Sequence, residues 1–153
     1  MSEAPSAPEV PDEPVVRQAR LEDVEALADL VTEGRGGDPA PYAAAFAKIA
    51  SDARQVLAVA ELGGQVVGTA QLSLIPTLAD RGAMRVQIDG VATLPTMRGR
   101  GIGEALFAWA LDEARRHGAS TVFIASEVER GNAHRFYEHL GFTASHRGFT
   151  ATL

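Results

Sequence analysis

Pro95-Thr96-Met97-Arg98-Gly99-Arg100-Gly101-Ile102-Gly103 joins a strand-like run to an amphipathic helix, and its reading decides the fold. Upstream, Met84 to Leu94 carries Val86, Ile88 and Val91. Downstream, Ile102, Ala105, Leu106, Trp109, Ala110 and Ala114 recur at i, i+3, i+4 spacing, the pattern of a helix that buries one face. Arg115-Arg116-His117 answers the negative end of its dipole and Gly118 stops it. Thr121 to Ala125 reads as the next strand. A strand, helix, strand unit is a crossover, so these two strands should be parallel and the connection right-handed.

The loop itself suggests chemistry. A glycine-rich turn opening a helix presents unpaired backbone N–H groups at the positive end of the dipole, which suits an anion. Arg98 and Arg100 can add charge-assisted contacts to phosphate oxygens, and the glycines let the backbone come close. The same residues also satisfy a plain strand-to-helix turn. The dinucleotide fingerprint is excluded, because Glu104 stands where its last glycine belongs. A P-loop is excluded too: GxxxxGK[ST] is absent and the only lysine is Lys48.

Within Met84 to Leu94 the alternation breaks at Asp89-Gly90. That break is either a type I′ hairpin turn or a bulge in one strand. Arg85 to Gln87 is too short to stand as a paired strand of its own, which favours the bulge.

Working outward, Val15 to Ala19 reads as a strand and Leu21 to Val31 as a helix, with Glu22 and Asp23 in the dipole-favoured first turn. Gly34 to Pro39 is a breaker-rich loop, and Pro41 to Ile49 an Ala-rich helix. Gln55 to Leu62 and Val66 to Ile75 form a hairpin around Gly63-Gly64, and Pro76 ends it. Beyond the crossover, Ala133 to Leu140 is a helix stopped by Gly141, and Phe142 to Ser145 with Phe149 to Leu153 reads as a final hairpin. The order β-α-α-β-β-β-α-β-α-β-β predicts an α/β fold with a mixed sheet.

Composition narrows the functions. The chain has 153 residues and a formal net charge of −6, one domain's worth of sequence. Residues 1–13 hold Pro5, Pro8 and Pro11 with Glu3, Glu9, Asp12 and Glu13 and no basic residue, which predicts a disordered acidic tail ahead of a domain at 14–153. In that domain 14 basic residues face 16 acidic ones, a net of −2. An acidic chain with a pI near 5.2 argues against coating nucleic acid or an anionic membrane. The absence of cysteine excludes disulfides, thiolate chemistry and Cys-based zinc sites. With no signal peptide or 18-residue apolar run, the expected location is the cytoplasm. Thirteen arginines against one lysine, with abundant alanine, point to a GC-rich bacterial coding sequence.

Arg98-Gly99-Arg100-Gly101-Ile102-Gly103 matches the R/Q-x-x-G-x-G/A motif that binds pyrophosphate in GNAT acetyltransferases. A second signature of that family appears as Ala133, then Tyr137, ahead of Gly141-Phe142, and Val16 to Asp23 is similar to the usual opening. The chain therefore resembles a GNAT N-acetyltransferase over residues 14–153. The resemblance implies a mostly antiparallel sheet with a splayed parallel pair and flanking helices. It also implies direct transfer of an acetyl group from acetyl-CoA to an amine of a small molecule or peptide, with no metal.

Residue by residue, it implies that Arg98, Gly99, Arg100, Gly101, Ile102 and Gly103 cradle the pyrophosphate. Val91, Ala92 and Thr93, after the bulge, line the pantetheine arm and supply the oxyanion donor. Such a donor is worth about 3 kcal/mol. An amine of pKa about 10 must lose a proton before attack; Asp89, Glu127 or a water chain is the candidate base. Tyr137 matches the general acid for the departing thiolate, and Ala133 belongs to the same cofactor motif.

Each residue also has a structural reading. Tyr137 packs a helix face, Asp89 braces the bulge through an Asx-type bond, and Glu127 joins Glu129 and Arg130 in a solvated cluster. Arg130 stands where many members carry asparagine, so either it contacts the cofactor or that contact is missing; Asn132 suits the helix N-cap. His134 and His139, five apart, lie on different faces and make a poor metal pair. The loop from Gly34 to Pro41 is expected at the acceptor side but names no substrate. Another acyl donor, or a non-catalytic acyl-CoA sensor, fits the same motifs, and a homodimer is open.

Overall fold

The computed structural model describes residues 13–125 and 131–153. Strand β1 (Val15–Gln18) leads through a 3₁₀ turn (Leu21–Asp23) into α1 (Val24–Val31), and α2 (Ala40–Ser51) follows the glycine-rich loop. The hairpin β2 (Gln55–Leu62) and β3 (Gln65–Pro76) comes next. A single turn, α3 (Ala79–Gly82), holds Asp80 and Arg81 in the left-handed region and has no counterpart among the elements expected from the sequence. Strand β4 (Met84–Thr93), a 3₁₀ turn (Pro95–Met97), α4 (Ile102–Arg116), β5 (Ala119–Ile124) and α5 (Gly131–His139) complete the elements.

The strands lie in sequence order in one five-stranded sheet, antiparallel except for the parallel β4–β5 pair. This is the mixed sheet expected from the crossover. One face carries Val56, Ala58, Ala60, Ala70, Leu72, Leu74, Val86 and Ile88, all buried against Ile102, Leu106, Phe107, Ala110 and Ala114 of α4. Alternation on each strand meets the helical stripe at 3.6-residue spacing, so both patterns end in one core. The approach is closest at Gly68, where a Cβ would stand 2.7 Å from Ile102 Cγ2, so α4 crosses β3 on bare backbone. Helices α1 and α2 contact the opposite face through β2 and β3.

Arg17 ties the first elements together. Its guanidinium donates to both Asp23 carboxylate oxygens at 2.7 and 2.8 Å, and to Glu61 Oε1 at 2.6 Å, linking β1, the start of α1 and β2. Asp23 also accepts the Arg20 backbone N–H at 2.7 Å. Hydrogen bonds from Arg17 hold the Asp23 carboxyl below the ordinary carboxylate range, against the upward push of burial. The acid expected to serve a helix dipole is thus mainly an ion-pair partner.

Two expectations about the C-terminal end fail. Residues 143–153 form no strand, and Phe149 and Leu153 lie exposed. A hairpin is marginal unless it joins a larger sheet, and this segment pairs with none of the described strands. Phe142 alone of the two runs reaches the core, edge-on to Phe107 at 5.9 Å. Helix α5 also takes in Gly131, so Asn132 lies inside the helix and not at its cap.

Candidate active site

The site grows from the irregularity in β4. Its register against β3 steps from Thr69↔Ala92 to Gln71↔Asp89, which sets two residues of β4, Gly90 and Val91, against one of β3, Ala70. That is the bulge expected at Asp89-Gly90, and Gly90 supplies its positive φ of 60°. On the other side, pairing with β5 runs from Met84↔Ala119 to Ile88↔Ile124 and stops there. From Asp89 onward the edge of β4 that would face β5 has no strand partner among the described residues. Unpaired backbone at a strand edge can bind an extended chain as a further strand would. Val91, Ala92 and Thr93 lie on this stretch, with Val91 exposed and the other two half-buried.

The strand then runs directly into the loop. Gly99 and Gly101 take positive φ of 77° and 78°, turning the chain into α4 in a way that side chains disfavour. The first helical hydrogen bond runs from the Ala105 N–H to the Gly101 carbonyl at 3.0 Å, and no side chain caps the end. The N–H groups of Ile102, Gly103 and Glu104 therefore have no helical acceptor and point out along the dipole. Arg98 and Arg100 are exposed beside them, and Arg100 Nη1 donates weakly to Met97 Sδ at 3.4 Å. Ile102 turns its side chain into the core, so only its backbone can serve a ligand. At Gly103 a Cβ would lie 3.2 Å from the Phe136 ring, so this glycine also admits α5 against α4.

That approach places Tyr137. Its ring packs edge-on to Phe107 at 5.6 Å, beside Phe136 and Phe142, next to the first turns of α4. The ring is half-buried, and among the described residues the hydroxyl has no hydrogen-bond partner. The ring thus packs as the structural reading of Tyr137 expects, with the hydroxyl left unengaged among the described residues. Ala133 is half-buried one turn earlier on α5. Glu127 and Arg130 lie outside the described residues.

Asp89 is exposed where the β4–β5 pairing ends, and its carboxylate accepts Gln87 Nε2 at 3.2 and 3.3 Å. This bond leads back along the strand and does not brace the bulge. It belongs to a polar floor that sequence reasoning missed. Gln55, Ser73, Gln87 and Phe123 stand in register across four strands. Gln55 Oε1 accepts from both Gln71 at 2.9 Å and Ser73 at 3.0 Å. The signal was the polar alternation of Gln71 and Ser73 and of Arg85, Gln87 and Asp89. Only the register reveals that these residues face one another.

Two cavities lie away from this centre. One of about 450 Å³ sits between the C-terminal end of α4, β5 and Leu140-Gly141-Phe142, at the opposite end of α4 from the loop. The other, about 190 Å³, lies where Gly36, Gly37 and Pro39 fold back on α1 beside Tyr42. Among the described residues no helix is long and apolar enough to cross a membrane.

Past Ile88, β4 has no strand beside it on the β5 side among the described residues, and it leads into a cation-flanked, uncapped helix start. The chain matches the Acetyltransferase (GNAT) family over residues 21–142. It belongs to that family. It is 33% identical to the aminoalkylphosphonate N-acetyltransferase of Salmonella typhimurium over 140 residues, 90% of each chain. It is likewise 33% identical to the glucosamine 6-phosphate N-acetyltransferase of Trypanosoma brucei brucei, over 55% of each chain. Among solved structures, a protein described as a transcriptional regulator from Bacillus halodurans superposes with a TM-score of 0.86 at 33% identity, covering 92% of this chain and all of that one. This GNAT protein is an acyltransferase of the acetyl-CoA-dependent class.

Proposed function

We propose that this GNAT protein transfers the acetyl group of acetyl-CoA to the primary amine of a small molecule that also carries a phosphonate or phosphate group. The observation that carries the chemistry is the continuity of the bulged β4 edge with the loop at Arg98 to Gly103. One run of backbone can hold a pantetheine arm along residues 91–93 and a pyrophosphate at the helix start. The acceptor class follows the two N-acetyltransferase relatives, whose named substrates each join an amine to a phosphorus oxyanion.

The protein's part in the reaction is positional and electrostatic. Asp89, at the point of splay, takes a proton from the ammonium directly or through water. The amine nitrogen then forms a bond to the thioester carbonyl carbon, and a backbone N–H at residues 91–93 receives the developing oxyanion. When the C–S bond breaks, the Tyr137 hydroxyl gives its proton to the sulfur, and the second proton that the nitrogen sheds on becoming an amide restores the hydroxyl through solvent. Arg98 and Arg100 hold the pyrophosphate charge throughout. Glu127 remains a second candidate base and Arg130 a candidate cofactor contact. The reaction needs no membrane or nucleic-acid partner and suits the cytoplasm.

The direct test supplies acetyl-CoA with 2-aminoethylphosphonate, glucosamine 6-phosphate and a set of uncharged amines. Free thiol and the mass of the acetylated amine are the readouts. The expected outcome is stoichiometric thiol and N-acetyl product with the anionic amines; thiol release no faster than hydrolysis with every amine would overturn the reading.

A further inference from the structure

We propose that Arg85 is the residue that recognises the anionic end of the acceptor, with Asp89, two positions past Gln87 on the same strand, holding the amine end. The inference rests on the acyl-transfer reading above and adds to it a specificity-determining residue. Arg85, Gln87 and Asp89 alternate along β4 and so stand on one face of the sheet. The register puts Gln87 beside Phe123, and the Arg85 guanidinium carbon lies 4.9 Å over that ring. The cation thus leans along the strand to the level of Gln87, a two-residue step of about 7 Å from Asp89. That step matches a short aminoalkyl chain bearing an ammonium at one end and phosphorus oxygens at the other.

The state of the guanidinium marks it as a binding group. Arg85 Nε is buried and has no hydrogen-bond partner. A donor removed from water and left unpaired is costly, and such groups are normally satisfied. Arg17, Arg115 and Arg116 each bond to a carboxylate of their own surroundings, and Arg54 forms an ion pair with Asp52 at 3.6 Å. Arg85 has none among the described residues, because the nearby Gln55, Gln71 and Ser73 are neutral and bonded to one another. The nearest acid on its own face of β4, Asp89, is engaged by Gln87.

The guanidinium is also packed against Phe123, whose ring His146 meets edge-on at 5.1 Å. A planar fork held in place suits two oxygens of one phosphonate, a geometry that a lysine ammonium does not reproduce. The Nη groups of Arg85, unlike its Nε, keep access to solvent, and Asp89 is exposed, so a small acceptor can reach both ends.

The experiment measures kcat/KM for 2-aminoethylphosphonate and for propylamine in the wild type and in Arg85→Ala, Arg85→Gln and Arg85→Lys. The Gln variant keeps length and polarity should Ala fail to fold. The expected result is that the wild-type preference for the phosphonate falls about 30-fold or more in Ala and Gln, mainly through KM, with partial recovery in Lys. An unchanged preference ratio, or a wild type that acetylates propylamine and not the phosphonate, would overturn the assignment while leaving acyl transfer standing. If the wild type acetylates neither amine, acyl transfer to amines fails separately. Calorimetric titration with 2-aminoethylphosphonate then decides on Arg85: affinity lost tenfold or more in the variants supports it, and equal affinity or no binding by the wild type refutes it.

Discussion

Arg17 and Arg85 both stand on strands of the same sheet, and their surroundings are opposite. Arg17 is enclosed by two carboxylates and bonded to both, with its side chain 18% exposed and that of Asp23 7%. Arg85 lies on an aromatic ring beside neutral amides, with a buried donor left over. The first arrangement is complete without a ligand and therefore serves the fold. The second is complete only when something negative arrives. Arg98 and Arg100 resemble Arg85 in this respect, being exposed beside unfilled backbone donors.

The contrast breaks most sharply at Arg17. Replacing it with alanine strands Asp23 and Glu61 in a partly buried site and should cost about 3 kcal/mol of unfolding free energy. Arg98→Ala should change stability by no more than about 0.5 kcal/mol, as surface substitutions usually do. Urea titration of both variants measures the difference, and equal midpoints would erase the distinction between fold-holding and ligand-holding arginines.

Next in size is Tyr137→Phe, which keeps the ring packing and removes only the hydroxyl. Turnover should fall about 100-fold while CoA affinity stays within twofold, consistent with the usual worth of a positioned acid. Steady-state kinetics with calorimetry separates the two, and unchanged turnover would return Tyr137 to a packing role. Removing the charge at Arg98 and Arg100 together should weaken CoA binding by about tenfold per lost contact, in line with charge-assisted hydrogen bonds. Retention of full affinity would remove both from the cradle.

The smallest effect is in acid. The Asp23 carboxyl is held below its unfolded value of about 3.9, so its contribution is present above that pH and disappears as pH falls through the folded pKa. The wild type should therefore lose more stability than Asp23→Asn between pH 5 and pH 2. Parallel acid titrations of the two would exclude this linkage.

Much of the site is legible in the amino-acid sequence because its signals are local. The loop from Arg98 to Gly103 is contiguous, positive φ demands glycine, and a helix start needs no distant partner to expose its N–H groups. The bulge at Asp89-Gly90 is readable as a break in period two. The final hairpin misleads for the opposite reason. Alternation at Phe149 to Leu153 is a request for a partner, and no described strand supplies one. Arg85 is unremarkable in the sequence, since an arginine in a strand is usually an exposed side chain.

From the sequence alone came the family, the α/β class with its parallel crossover, the bulge in β4 and the glycine-rich start of α4. Each depends on spacing along one chain and on the backbone chemistry of a single element. The folded structure was needed to show which polar residues share a floor, which arginine is paired and which is not, and where the described β4–β5 pairing stops. Those facts depend on register and burial between segments as far apart as Gln55 and Phe123. No local pattern encodes whether a charge will meet its partner when the strands align.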